Sequence, residues 1–135
     1  MTRIEWTESL SVGDFGVDEQ HRQIIALINR FEDSVRDSVG ATAVRSCIDG
    51  LVDYAAVHFR DEEAILESLK FPGLAKHKLF HQYFIARVKV FSERFASGEP
   101  DVPEDLLTFL KLWLVDHIMV SDQEYAAHIT GAKHV

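Results

Sequence analysis

The chain has 135 residues, 47% of them hydrophobic and 27% charged, which fits one domain with a real hydrophobic core and the composition of an ordinary soluble globular protein. A formal net charge of −8 argues against nucleic acid or an anionic membrane surface as partner, since both need a cationic face. The lone Cys47 excludes an internal disulfide, no stretch is apolar enough to span a bilayer, and the N-terminal MTRIEWTESL has no apolar signal core, so a cytoplasmic protein is expected.

Residues 1–17 scatter Ser11, Gly13, Asp14 and Gly16 among isolated apolar residues, which reads as an irregular arm pinned by Trp6 and Phe15. Asp18 is a candidate N-cap for a first helix over about 18–37, whose stripe runs His21, Ile24, Ile25, Ile28, Phe31 and Val35. Gly40 punctuates. A second helix over about 42–69 carries Val44, Cys47, Leu51, Tyr54, His58, Glu62, Ile65 and Leu69 on one face, so a histidine and a glutamate interrupt an apolar seam. Burying polar groups is costly, which makes the interruption informative. Cys47 on the same face reads as a small core residue.

Phe71-Pro72-Gly73 breaks the helix and reverses the chain. The third helix, about 74–97, aligns His77, His81, Phe84, Val88, Phe91 and Phe95. The loop 97–103 is rich in Gly and Pro, and Asp101 with Glu104 resembles a capping box opening a last helix over about 103–129. That helix carries Leu106, Leu110, Trp113, Leu114, His117 and Val120 and is expected to stop before Gly131.

Four helices with short connections predict an all-α, up-down-up-down four-helix bundle forming a single domain over 1–135. In that topology His21 near the start of the first helix, His58 and Glu62 late in the second, His77 and His81 early in the third and His117 late in the fourth share one end. Asp122 belongs with them only if the last helix widens, because five positions at 100° put it about 140° from His117 on an ideal helix. A π-type turn would bring the two into line.

Five histidines and two carboxylates are too many ligands for one ion and suit two, with Glu62 and Asp122 bridging. Mixed nitrogen and oxygen ligation suits iron, although manganese or zinc fits such a cage, and the absence of thiolates argues against structural zinc or an iron–sulfur cluster. Singly, each histidine is compatible with a hydrogen-bonded core residue. Glu124 and His128 share the His58–Glu62 spacing and read as a surface pair, with His134 solvated.

These residues resemble the hemerythrin family, specifically its single-domain bacterial members. The resemblance rests on Trp6, Val12-Gly13, Val17-Asp18-Glu19-Gln20-His21, His58-Phe59, Glu62-Glu63, Pro72, His77, His81, Trp113, His117-Ile118, Asp122 and Tyr125. It implies a non-haem di-iron centre with an oxo or hydroxo bridge that binds dioxygen reversibly, as a carrier, store or scavenger and not an enzyme. One iron would be held by His77, His81 and His117, the other by His21 and His58, with Glu62 and Asp122 bridging both. Ile24, Phe59, Trp113, Leu114 and Ile118 would wall the oxygen pocket, and Tyr125 would hydrogen-bond a bridging carboxylate. Leu66 and Phe71 depart from the methionine and tyrosine common in relatives. The competing reading is a di-iron redox enzyme handling peroxide or nitric oxide, or a sensor acting through a separate protein partner; Lys76, Lys78 and Arg87 are the basic residues open to such contacts.

Overall fold

The computed structural model describes residues 4–37, 40–117 and 122–133, and all regular structure among them is helical. A single 3-10 turn, Glu8–Leu10, interrupts the N-terminal arm, and five helices follow: α1 (Phe15–Arg36), α2 (Ala41–Ser68), α3 (Leu74–Ala96), α4 (Val102–Asp116) and α5 (Asp122–Lys133). α1 packs on α2 and α4, and α3 on the same two, so α1 to α4 close a four-membered ring in sequence order. Ile28, Phe31, Ile48, Leu51, Val88, Leu106 and Leu110 fill its centre, and a smaller apolar cluster of Val12, Val17, Leu66 and Tyr125 closes one end.

The arm is tied down differently from expectation. α1 starts at Phe15 because Asp14, not Asp18, is its N-cap, Oδ2 accepting from Val17 N at 2.9 Å. Asp18, one turn into the helix, instead holds the arm: its carboxylate accepts from Val12 N and from Ser11 Oγ. Trp6 packs against the core with the Arg22 guanidinium 4.8 Å over its ring. Phe15, expected as a second anchor, is 79% exposed and anchors nothing.

The α2–α3 turn sets the two histidine pairs against each other. α2 ends in a Schellman motif: Lys70 N donates to Glu67 O and Phe71 N to Leu66 O, while Phe71 packs on the cluster containing Leu66. The residue in the left-handed position is Lys70 at φ 54°, whereas the same motif after α3 uses Gly98 at φ 79°. Gly73 is required by close approach, since a Cβ there would meet the Phe71 ring at 2.7 Å.

Two expectations about the last helix are corrected. Asp101 caps nothing with its side chain, because its backbone is left-handed (φ 63°) while a capping box needs an extended N-cap; Pro103 in the first turn starts α4 instead. The expected last helix, 103–129, is described in two stretches, and it does not stop before Gly131. α4 ends at Asp116, His117 adopts a π turn, and α5 runs from Asp122 past Gly131 to Lys133. Residues 118–121, Ile118 and Val120 among them, lie outside the described residues, as does His134.

One ion pair joins α4 to α1 beside the apolar core. Lys111 on α4, 2% exposed, bonds Glu32 on α1. Removing one partner strands the other charge, so Lys111→Met is expected to cost about 2–4 kcal/mol, and adding Glu32→Leu to recover most of it. Urea unfolding of both variants checks this; equal stability of the single and double variants would contradict it. At the α2–α3 turn, Lys70→Gly is expected to stabilise by about 0.5–1 kcal/mol by relieving the left-handed backbone, read as a higher denaturation midpoint.

Candidate metal centre

Each helix contributes to one polar layer between the two apolar clusters. On α1, His21 follows Val17 and precedes Ile24; on α2, His58 and Glu62 lie between Ala55 and Leu66. α3 places His77 and His81 between Leu74 and Phe84, and His117 and Asp122 lie between Leu114 and Tyr125. All seven side chains are at most 4% exposed. The π turn at His117 accounts for the awkward five-residue spacing, and Asp122 faces the histidines from the first residue of α5.

The two carboxylates divide their oxygens between two groups of histidines. Glu62 Oε1 lies 2.6 Å from His77 Nε2, 3.0 Å from His81 Nε2 and 3.9 Å from His117 Nε2. Its Oε2 lies 3.2 Å from His58 Nε2 and 3.4 Å from His21 Nε2. Asp122 repeats the division, with Oδ1 at 3.0 Å from both His77 and His117 Nε2 and Oδ2 at 3.1 Å from His21 Nε2. Three imidazoles therefore face Glu62 Oε1, two of them also Asp122 Oδ1, while His21 and His58 face Glu62 Oε2 and His21 alone Asp122 Oδ2.

This donor set fits metal ions. Neighbouring donors around an ion with bonds of about 2.1 Å stand about 3.0 Å apart in an octahedron, the spacing seen here. Glu62 with His77, His81 and His117 forms one compact group of possible ligands, and His21 with His58 and Glu62 forms another. Both Asp122 oxygens and both His21 nitrogens are buried without hydrogen-bond geometry to any described residue, despite their short approaches. Buried groups so placed call for a cation.

Protonation shows how strongly the carboxylates pull. Burial opposes charge on His21 and His77, yet Asp122 and Glu62 outweigh it and raise both to about 9. His117 is also raised against its burial, chiefly by Asp122, whereas burial prevails at His58 and lowers it. Burial works to raise Glu62 and Asp122, but the surrounding histidines hold both below the usual carboxylate range. Tyr125 donates to Glu62 Oε2 at 2.8 Å, and burial beside two carboxylates pushes its own pKa up, so it remains a donor.

Stacking fixes the rings. Phe59 lies on His81 (centroids 3.9 Å apart, 8°) and Trp113 on His117 (4.4 Å, 13°). Beside His21, His58 and His117 sits a cavity of about 10 Å³, near the lower limit for a single water-sized molecule. Of the expected wall residues, Ile24, Phe59, Trp113 and Leu114 line it together with His21, His58 and His117. Ile28, Ala55 and Phe84 also line it and were not singled out from sequence; Ile28 and Ala55 lie one turn from Ile24 and Phe59, and Phe84 three residues from His81, so helical spacing contained the signal.

A model of the hemerythrin HHE cation-binding domain matches residues 13–129. The chain belongs to the hemerythrin family. It is 38% identical over 129 residues to the bacteriohemerythrin of Stenotrophomonas maltophilia (strain R551-3), covering 96% of this chain and 83% of that one. With the bacteriohemerythrin of Pseudomonas aeruginosa (strain LESB58) it shares 35% over 134 residues, covering 99% and 84%. The fold is similar to a crystal structure of wild-type hemerythrin, with a TM-score of 0.86 at 26% identity over 93% of this chain and 97% of the other. Among the described residues no helix of this hemerythrin is long and apolar enough to cross a membrane.

The raised histidines give the metal-free chain a pH signature. Groups raised from 6.5 to about 9 stabilise the fold fully below about pH 6.5 and lose that contribution as pH rises through 9. Depressed carboxylates stabilise above their ordinary values of 4.5 and 3.8 and lose it on acidification. His58, lowered, works in the opposite sense to the raised histidines. The urea midpoint of metal-free protein is therefore expected to peak between about pH 4.5 and 6.5 and to fall towards pH 9, and metal uptake at pH 7 to release protons. Denaturation across pH and calorimetry in buffers of different ionisation enthalpy read both; a midpoint rising from pH 6.5 to 9 would contradict the assignment.

Proposed function

We propose that the chain binds dioxygen reversibly at a non-haem di-iron centre, acting as a carrier, store or scavenger in the cytoplasm rather than as an enzyme. The observation that carries this is the unequal division of the histidines combined with the cavity. His77, His81 and His117 would hold one iron and His21 and His58 the other, Glu62 and Asp122 bridging them through the oxygens each turns to either side. The apolar cavity is lined by both imidazoles of the smaller group and by only His117 of the larger. Its volume is about that of one water-sized molecule, so only the smallest ligands would enter.

Held by these residues, a pair of ferrous ions would supply reversible one-electron chemistry at each metal, two electrons in all for dioxygen. Everything else is the work of the chain. Ile24, Ile28, Ala55, Phe59, Phe84, Trp113 and Leu114 offer no carboxylate, hydroxyl or amine to the cavity, so water and protons are kept from the ligand site. Tyr125 holds Glu62 Oε2 in place through its hydroxyl. Catalytic turnover of oxygen or peroxide needs a positioned proton donor, and none of the residues lining the cavity other than its histidines can serve as one. That favours binding over chemistry.

The test is the visible spectrum of anaerobically reduced, iron-loaded protein before and after air and after return to vacuum, with an iron count. Two irons per chain and a band that appears in air and disappears over repeated cycles are expected; prompt irreversible oxidation, or catalytic consumption of hydrogen peroxide, would overturn the proposal. Ala55→Ser, which adds a hydroxyl to the cavity wall, is expected to shorten the life of the oxygenated band several-fold without changing the iron count.

A further inference from the structure

The outward nitrogens of two of the histidines meet unequal partners. His81 Nδ1 lies 2.8 Å from Glu63 Oε2, and His58 Nδ1 lies 2.7 Å from Gln20 Oε1. Each contact has only one workable polarity. A carboxylate only accepts, so His81 Nδ1 donates to Glu63. Gln20 could present either end of its amide, but its Nε2 donates to Asp61 Oδ2 at 2.9 Å, which again only accepts. Gln20 therefore turns its oxygen to the ring, and His58 Nδ1 donates to it. Both Nε2 atoms are thereby left to point a lone pair inward, 3.0 Å from Glu62 Oε1 for His81 and 3.2 Å from Oε2 for His58.

The two acceptors differ in charge. An anionic acceptor draws the Nδ1 proton more strongly than a neutral carbonyl does, and that pushes electron density through the ring to Nε2. His81 belongs to the group of three imidazoles and does not line the cavity, whereas His58 does. His21, the other imidazole of the smaller group, has no hydrogen-bond partner at Nδ1 among the described residues. Neither His21 nor His58 has a direct carboxylate partner at Nδ1 among the described residues.

We propose that Glu63 and the Gln20–Asp61 pair are positioning residues that fix the tautomers of His81 and His58 and make these two ligands electronically unequal, with the stronger donor, His81, the one that does not line the cavity. The inference rests on the di-iron reading above. Glu63 favours the higher oxidation state beside His81, and Gln20 withholds that preference beside His58.

Two variants read this out in iron-loaded protein. Glu63→Gln removes the anionic acceptor and is expected to raise the reduction potential. The exchange Gln20→Glu with Asp61→Asn keeps the net charge and both hydrogen bonds but sets a carboxylate against His58, and is expected to lower it. Each shift corresponds to about tenfold in the equilibrium constant for reduction, or about 59 mV for one electron. An unchanged potential in either variant at full iron content overturns the proposal, as does a shift of the opposite sign. Wild-type protein that takes up no iron would overturn the di-iron reading instead. For a variant that loses iron, the decision passes to long-range proton–nitrogen NMR of zinc-loaded wild-type protein. Nδ1–H on both rings, with the His81 proton further downfield, supports the proposal; an Nε2–H tautomer on either ring or equal proton shifts overturn it.

Discussion

The structure depends on one buried polar layer. Five imidazoles and two carboxylates lie between the main apolar core and the small cluster of Val12, Val17, Leu66 and Tyr125, sealed from water on both sides. A buried carboxylate without a compensating cation costs several kcal/mol, so the layer is tolerable only because each acid is surrounded by nitrogens. Without metal, protons on the histidines provide that compensation. Metal ions would replace the protons at the same donor atoms, coupling metal uptake to pH and to stability.

Local chain geometry serves this layer where it departs from regularity. The Schellman turn after α2, carried by a left-handed lysine, and the tight passage at Gly73 set His58 and Glu62 against His77 and His81. The π turn at His117 lets residues five apart contribute to the same layer. Around the layer, Phe59, Trp113 and Tyr125 stack on or bond to its members, so the rings are held by apolar packing as well as by polar contacts. The same aromatic residues that fix the geometry also border the cavity or the bridging acid, joining rigidity to exclusion of water.

The fold was legible because its polar exceptions are few and periodic. Histidines at the end of three apolar stripes, together with short connections, implied the bundle and the end at which the layer sits, and the resemblance of these motifs to hemerythrins pointed the same way. Features depending on competition between neighbouring side chains were not legible. Asp18 has the identity of a cap, and only the hydrogen bonds from Val12 and Ser11 assign it to the arm, with Asp14 taking the cap. Asp101 has the right identity for a capping box but the wrong backbone for it. Periodicity could mark Ile28, Ala55 and Phe84 as buried, yet not as lining a cavity rather than filling the core. The roles of Gln20, Asp61 and Glu63 arise from contacts across 18 to 41 positions of sequence, which no local pattern encodes.

Anomalous diffraction at the iron edge from crystals of iron-loaded protein tests the central claim most directly. The account predicts two peaks between Glu62 and Asp122, one against His77, His81 and His117 and the other against His21 and His58. A single peak, a peak away from these residues, or iron-replete protein with no ordered metal in the layer would contradict it.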